Sequence, residues 1–334
     1  SCLLITGMPF PVGKGMLNIQ AGPAYDRRNL PRRLWCWISF ALASFIRVLR
    51  LPSQPFLLAV TNPPLLPHVA WIAHKVRGNP YGLLVWDIYP DHLVKMGWIR
   101  ENGPFARLWN RMNSRAVLEA SVVITLGDRM REALEAQLGL IAAERQVDVI
   151  PNWADTNLLR PITKAENPFA IEHGQVDKVT VLYSGNMGLT HGLDTLVESA
   201  GMLRGDPRIS FLLIGDGLDR EQIEGQVVAS GLSNVKLLPR QSWEMLPYSL
   251  AAGDIAIVTQ APGSEHLSLP SKVYSLMATG CAVVACTDAE SDLAELVRTW
   301  KLGSVCAQGD ASAIADAISH LASSEDVLSE YQTR

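Results

Sequence analysis

The sequence predicts an α/β protein built from two Rossmann-like domains with parallel sheets, and three observations predict it. Short apolar runs alternate with helical stretches along most of the chain. The 334 residues exceed what one core usually supports. Charge also divides: residues 1–150 hold 17 Lys/Arg against 10 Asp/Glu, and residues 151–334 hold 12 against 23. A basic first half and an acidic second half suit two domains with different partners.

In the first half, Phe56–Thr61 is an apolar run stopped by Asn62-Pro63-Pro64, which reads as a strand. A helix is expected over about 66–76, then a strand over Tyr81–Trp86 that ends at Asp87. A helix over 104–119, a strand over 121–125, a helix over 128–137 and a strand over 147–150 follow. The polar stretch 157–177, with Pro161 and Pro168, reads as a linker, so the domains are placed at 1–157 and 158–334. A second series then begins. Strands are expected over 179–183, 209–214, 234–238, 254–258 and 282–285, with helices over 193–203, 288–297 and 311–322.

Apolar content of 48% and charged content of 19% are globular values. The five cysteines are scattered without metal or redox spacing and read as buried thiols in a reducing compartment. The longest apolar stretch, Trp35 to Ile46, is too short to span a bilayer, which takes about 20 residues. It reads either as a core helix or as a helix lying on a membrane surface. Arg27, Arg28, Arg32 and Arg33 precede it, and Trp35 and Trp37 stand near its start. The basic half suits an anionic membrane or a phosphorylated acceptor, and ordinary surface charge would also produce it.

The stretch Leu269 to Ala285 carries the most chemistry. Pro270-Ser271 leads into a short helix that Gly280 closes, with Ser271 placed to cap it and Lys272 in its first turn. Free N–H groups, a helix dipole and an ammonium then converge, which suits a diphosphate. A capped helix with a surface lysine would read the same.

Four segments of the second half resemble the GT-B retaining glycosyltransferases of glycosyltransferase family four, in the bacterial branch that builds capsule, O-antigen and exopolysaccharide. They are Val149–Asp155, Leu182–Gly188 with His191–Asp194, Ile214–Gly217 with Val235–Gln241, and Pro270–Gly280. In the first half, Thr61–Pro64 and Trp86–Asp91 match more loosely. The resemblance implies a GT-B fold with two domains facing across a cleft, the first lacking the family's opening strand and glycine-rich loop. It implies an enzyme that moves a hexose from a UDP- or GDP-sugar to a lipid-linked saccharide, with retention and without a metal or other cofactor. It places the chain in the cytoplasm at the inner face of the membrane, in peripheral contact through the basic domain, with no nucleic acid partner.

The same resemblance assigns the site. Asp87, His191, Glu265 and Lys272 are the catalytic candidates, Asp87 as a contact to acceptor or donor sugar. Gly185, Asn186, Gly188, Arg240, Gln241, Ser271, Lys272, Ser275 and Glu290 are the donor-binding candidates. Gly185 and Gly188 let backbone approach phosphate, and Arg240 with Gln241 falls where the family reads the base. Two departures stand out. Asn186 and His191 occupy positions where the family carries an arginine and a lysine, and Leu267 and Ser275 replace two glutamates. These losses keep open a degenerate GT-B protein acting as a non-catalytic binding subunit, and a GT-B sugar-nucleotide epimerase is a further alternative.

Overall fold

The computed structural model describes residues 2–6, 16–20, 30–139, 145–188, 192–260 and 262–332. Contacts divide the chain into two compact units, Ser1–Pro151 and Asn152–Arg334. Each is an α/β unit with a parallel sheet, as the alternation of the sequence predicts.

In the first unit, β1 (Cys2–Thr6) and β2 (Met16–Gln20) pair in parallel as a separate two-stranded sheet. Helix α1 (Leu30–Leu49) then leads to β3 (Leu57–Val60), α2 (Leu66–Arg77), β4 (Tyr81–Val85), α3 (Asp91–Lys95), α4 (Pro104–Glu119), β5 (Val122–Thr125), α5 (Asp128–Leu138) and β6 (Asp148–Val149). Strands β3-β4-β5-β6 form a parallel sheet in that order. Helix α4 begins at Pro104, whose fixed φ and missing N–H suit a first helical position. The Arg77 guanidinium donates to the carbonyls of Val48, Leu49, Leu51 and Ser53, so α2 satisfies the C-terminal end of α1.

The second unit runs α6 (Pro168–Glu172), β7 (Val179–Asn186), α7 (Leu193–Met202), β8 (Ile209–Asp216), α8 (Arg220–Ala229), β9 (Val235–Leu238), α9 (Leu246–Leu250), β10 (Ile255–Thr259), α10 (Lys272–Ala278), β11 (Ala282–Cys286), α11 (Asp292–Thr299), β12 (Gly303–Cys306), α12 (Ala311–Leu321) and α13 (Glu325–Gln332). Its six-stranded sheet has the order β12-β11-β10-β7-β8-β9 and is parallel throughout. Every residue of β10 and β11 is buried, as continuous apolar runs in a sheet covered on both faces require. Val181, Tyr183, Phe211, Leu213, Ile257 and Val284 are core residues of the unit.

Two expectations change. Residues 157–177 are no loose linker, because Asn167 caps α6 through the N–H groups of Phe169 and Ala170, and Phe169 is buried. Lys164 pairs with Asp254, which also accepts the Thr180 N–H at 2.6 Å. The helix expected from Asp288 starts at Asp292, since the Ser291 hydroxyl accepts from the Ala294 N–H and fixes the start there. The reading of buried thiols holds for Cys36, Cys281, Cys286 and Cys306, which are free and buried.

Candidate functional site

The strand order of the second unit reverses beside β7. From β7 the chain builds outward through β8 and β9, then returns to place β10 on the other side. A parallel sheet puts its ligands at the carboxyl ends of strands flanking such a reversal. Gly185 and Asn186 close β7, and the segment leading to Lys272 follows β10.

Tyr183 is fully buried on β7, and its hydroxyl donates to the Asn186 carbonyl at 2.6 Å. Burial pushes its phenol well above the usual range, so it stays neutral. The Lys272 ammonium lies over the Tyr183 ring, 4.1 Å from its centroid. A Cβ added at Gly185 would stand 3.1 Å from that nitrogen, so the absent side chain leaves room for the ammonium. The nitrogen is buried and without a hydrogen-bond partner among the described residues, although the residue as a whole is half-buried. Burial lowers its pKa to about 8, against a small upward pull from Cys286. The Cys286 thiol is itself pushed up to about 12 by burial.

Backbone close approach shapes the turns around it. Gly215 leaves no space for a side chain, since a Cβ there would overlap the Gly185 carbonyl oxygen. The Met187 N–H donates to the Asp216 carbonyl at 2.9 Å, and the Asp219 N–H donates to the Met187 carbonyl at 3.0 Å. Arg220 donates to the carbonyls of Gly215 (2.6 Å) and Leu238 (2.9 Å), tying the end of β8 to the end of β9. On the other side, Gln260 donates to the Ser268 carbonyl and accepts from Thr287, and Thr287 lies 2.9 Å from Ser291. These bonds fix the loops that follow β10 and β11.

The structure brings together Gly185 and Lys272, with Asn186 one residue on. Gly188 is half-buried just after them. Ser275 lies one turn after Lys272 on α10 and is half-buried. Ser271 is exposed and does not cap that helix: it is already in the right-handed helical region and makes no side-chain cap bond. The turn instead opens one residue earlier, where the Val273 N–H donates to the Pro270 carbonyl at 3.1 Å. Glu265 is buried in the segment after β10 rather than held on an open loop. Glu290 is exposed, and its N–H donates to the Asp288 carboxylate. Arg240 is exposed after the edge strand β9, and the Gln241 amide donates to the Pro239 carbonyl at 2.7 Å. His191 lies outside the described residues.

In the first unit, Asp87 follows β4. Its N–H and that of Trp86 both donate to the Thr61 hydroxyl at 3.0 Å, so β3 fixes the turn after β4. Asn62 donates to the Asp87 carboxylate at 3.2 Å. Burial raises the Asp87 pKa, while His92, Arg33 and the Asn62 bond pull it down. Burial lowers the His92 pKa, opposed by Asp87. The Arg33 guanidinium lies over Trp37 at 4.9 Å and over Trp98 at 5.1 Å. A cavity of about 30 Å³ beside Asp87 is lined in part by Thr61, Tyr89, Asn113 and Gln137. Sequence reasoning missed Tyr183, Arg220, His92 and the Arg33–Asp87 proximity. Only Arg33 gave a signal, as one of a basic group.

Comparison with known proteins agrees with this architecture. Residues 178–324 match the family described as Glycosyl transferases group 1. WcaI of Escherichia coli (strain K12), a colanic acid biosynthesis glycosyl transferase by assignment, is 31% identical over 241 residues, covering 70% of this chain and 58% of that protein. This chain therefore spans well under two thirds of WcaI. WbjE of Pseudomonas aeruginosa, a glycosyltransferase by assignment, is 23% identical over 323 residues, covering 93% of this chain and 80% of that protein. Among solved structures, Anabaena Alr3699/HepE in complex with UDP is similar with a TM-score of 0.68 at 18% identity, over 95% of this chain and 80% of that one. The same protein has also been solved with UDP-glucose. At that identity the likeness establishes the fold, which is GT-B. Residues 178–324, most of the second unit and of its six-stranded parallel sheet, are therefore similar to the group 1 glycosyltransferase family.

Proposed function

We propose that the chain is a retaining transferase of the family-four type that moves a hexose from a UDP- or GDP-sugar to a lipid-linked saccharide, in the assembly of a bacterial surface polysaccharide. One observation carries the reading: a buried ammonium without a hydrogen-bond partner among the described residues, Lys272, sits beside the Gly185 turn at the reversal point of the sheet. A buried cation without an anionic partner is costly, and a diphosphate supplies that partner. The names of the similar proteins, and the UDP and UDP-glucose bound by HepE, point the same way.

In this reading the bond between the anomeric carbon and the diphosphate breaks, and negative charge gathers on the leaving phosphate. Lys272 and the N–H groups around Gly185, Asn186 and Gly188 meet that charge as it develops. The acceptor oxygen bonds to the anomeric carbon from the same face, and its proton passes to the departing phosphate. The transfer uses no divalent metal and no other cofactor. Ser271 and Ser275 supply hydroxyls at the start of and along α10, Glu265 and Glu290 are assigned to donor-sugar or ribose contacts, and His191 to the diphosphate. Arg240 and Gln241 are assigned to the base, and Asp87 to the acceptor or donor sugar. The chain works in the cytoplasm at the inner face of the membrane, where a lipid-linked acceptor is presented.

A non-catalytic binding subunit is the second reading, favoured by Asn186 and Ser275 standing where the family carries charged side chains. Thermal stabilisation by UDP or GDP tests donor binding, because a ligand selective for the native state raises its melting temperature. Donor hydrolysis or transfer then separates the readings. Binding without turnover favours the subunit, and absence of any stabilisation contradicts both.

A further inference from the structure

The first residue of helix α8 is an arginine, Arg220. A cation is disfavoured there, because the N-terminal end of a helix carries positive potential. Its partners among the described residues are carbonyls and not carboxylates. One guanidinium nitrogen, Nη1, donates to the Gly215 carbonyl at 2.6 Å and to the Leu238 carbonyl at 2.9 Å. Both carbonyls lie where the pairing of β8 with β9 ends, since the last paired residues are Ile214 and Leu238. Pro239 comes next and has no N–H to donate, so the ladder stops. The guanidinium then acts as one further rung between the two strand ends.

The two ends that it joins are held unequally. On the β8 side, pairing with β7 continues through Gly185 with Gly215 and Asn186 with Asp216. The Met187 N–H donates to the Asp216 carbonyl, and the Asp219 N–H donates to the Met187 carbonyl. A Cβ at Gly217 would overlap the Met187 carbonyl oxygen, so the Gly185–Met187 turn and the approach to α8 interlock through backbone. The β9 side is looser. This strand is a four-residue edge strand, and beyond it Pro239 and Arg240 are exposed. The Gln241 amide donates back to the Pro239 carbonyl, within the same segment. Arg220 is thus a side-chain link from the interlocked turn beside Lys272 to residues 239–241. We infer that Arg220 is a positioning residue that fixes the segment 239–241 relative to the Gly185 turn, so that a nucleotide whose diphosphate lies at the turn meets its base contacts already in place.

The inference rests on the proposed assignment of Arg240 and Gln241 to the base. Its physical content is preorganisation, since a segment already held in its bound conformation loses less entropy on binding. The test compares ligands that carry a base with one that does not. UDP, GDP and inorganic pyrophosphate are titrated calorimetrically into the full chain as wild type, Arg220→Met and Arg220→Lys. Arg220→Met is expected to weaken the tighter-bound of UDP and GDP about tenfold and to change pyrophosphate affinity by less than about twofold. Arg220→Lys keeps the charge on a shorter side chain and is expected to show a smaller loss of the same selective kind, which carries the test if the methionine variant does not fold. A merely structural role would weaken all three ligands alike. An equal fall for nucleotide and pyrophosphate therefore overturns the proposal, as does unchanged nucleotide affinity in the folded variants, and neither result touches donor binding itself. Failure of wild type to bind UDP, GDP and pyrophosphate overturns the donor-site reading and this inference with it.

Discussion

The Lys272 ammonium rests on the face of the Tyr183 ring, 4.1 Å from its centre, and makes no hydrogen bond among the described residues. Tyr183 in turn holds the Asn186 carbonyl through its hydroxyl. One aromatic ring therefore supports both the cation and the turn beside it. The ring compensates only part of what the ammonium loses on leaving water.

Lys272→Met should therefore stabilise the protein near pH 7. Methionine fills similar volume without a buried charge, and a gain of about 1–3 kcal/mol is expected. Urea unfolding of the two proteins checks this. A residue kept for packing alone would give the opposite sign.

The gain should depend on pH. The folded pKa of about 8 lies below the ordinary lysine value, so between them the unfolded chain binds more protons than the folded one. Lys272 thus costs stability in full below pH 8, and the cost fades as pH rises from about 8 towards 10.5. The difference between wild type and Lys272→Met, measured at pH 7.5, 8.5 and 9.5, should shrink steadily.

Tyr183→Phe and Tyr183→Leu separate the two duties of the ring. Phenylalanine keeps the face under Lys272 and loses the hydroxyl with its bond to Asn186, for a cost of about 1 kcal/mol. Leucine also removes the ring face and should cost about 2–4 kcal/mol, with a lower pKa at Lys272. Chemical denaturation reads the stability, and titration of a lysine-selective NMR signal reads the pKa.

Gly215→Ala tests the close approach of the two turns. Its methyl group would overlap the Gly185 carbonyl, so β7 and β8 must part at their carboxyl ends. A loss of about 2 kcal/mol or more is expected, together with weakened binding of nucleotide diphosphates.

Lys164→Met should destabilise the second unit by about 3 kcal/mol, because it leaves the half-buried Asp254 carboxylate without its cation. Adding Asp254→Asn should recover part of the loss, and a double-mutant cycle measures the coupling.

Much of the fold was legible. Helix α4 could be bounded because Gly103-Pro104 opens it and Ala120-Ser121 leads into a β-branched strand. The buried strands β10 and β11 read as plain apolar runs. Strand β12 was missed because Gly303-Ser-Val-Cys306 is a short edge strand with little apolar pattern. Helix α8 was missed because Arg220–Ala229 carries charge and buries only Ile223 and Val227. Helix α6 did show an asparagine followed by proline, a start signal that the surrounding prolines disguised. The site was legible as segments but not as contacts. Lys272 and Tyr183 are far apart in sequence, and only the return of β10 to the side of β7 brings their neighbourhoods together. The missing cap at Ser271 shows the reverse limit, since a suitable residue at a suitable place does not fix its backbone conformation.

The central claim is that Lys272 and the Gly185 turn together hold a diphosphate. Calorimetric titration of UDP and GDP into wild type and Lys272→Met at pH 7 tests it most directly. The account predicts binding by wild type of at least one of the two, and an affinity lower by about 1.5–3 kcal/mol in the variant. Equal affinity in the two proteins, or no binding of either nucleotide by wild type, would contradict it.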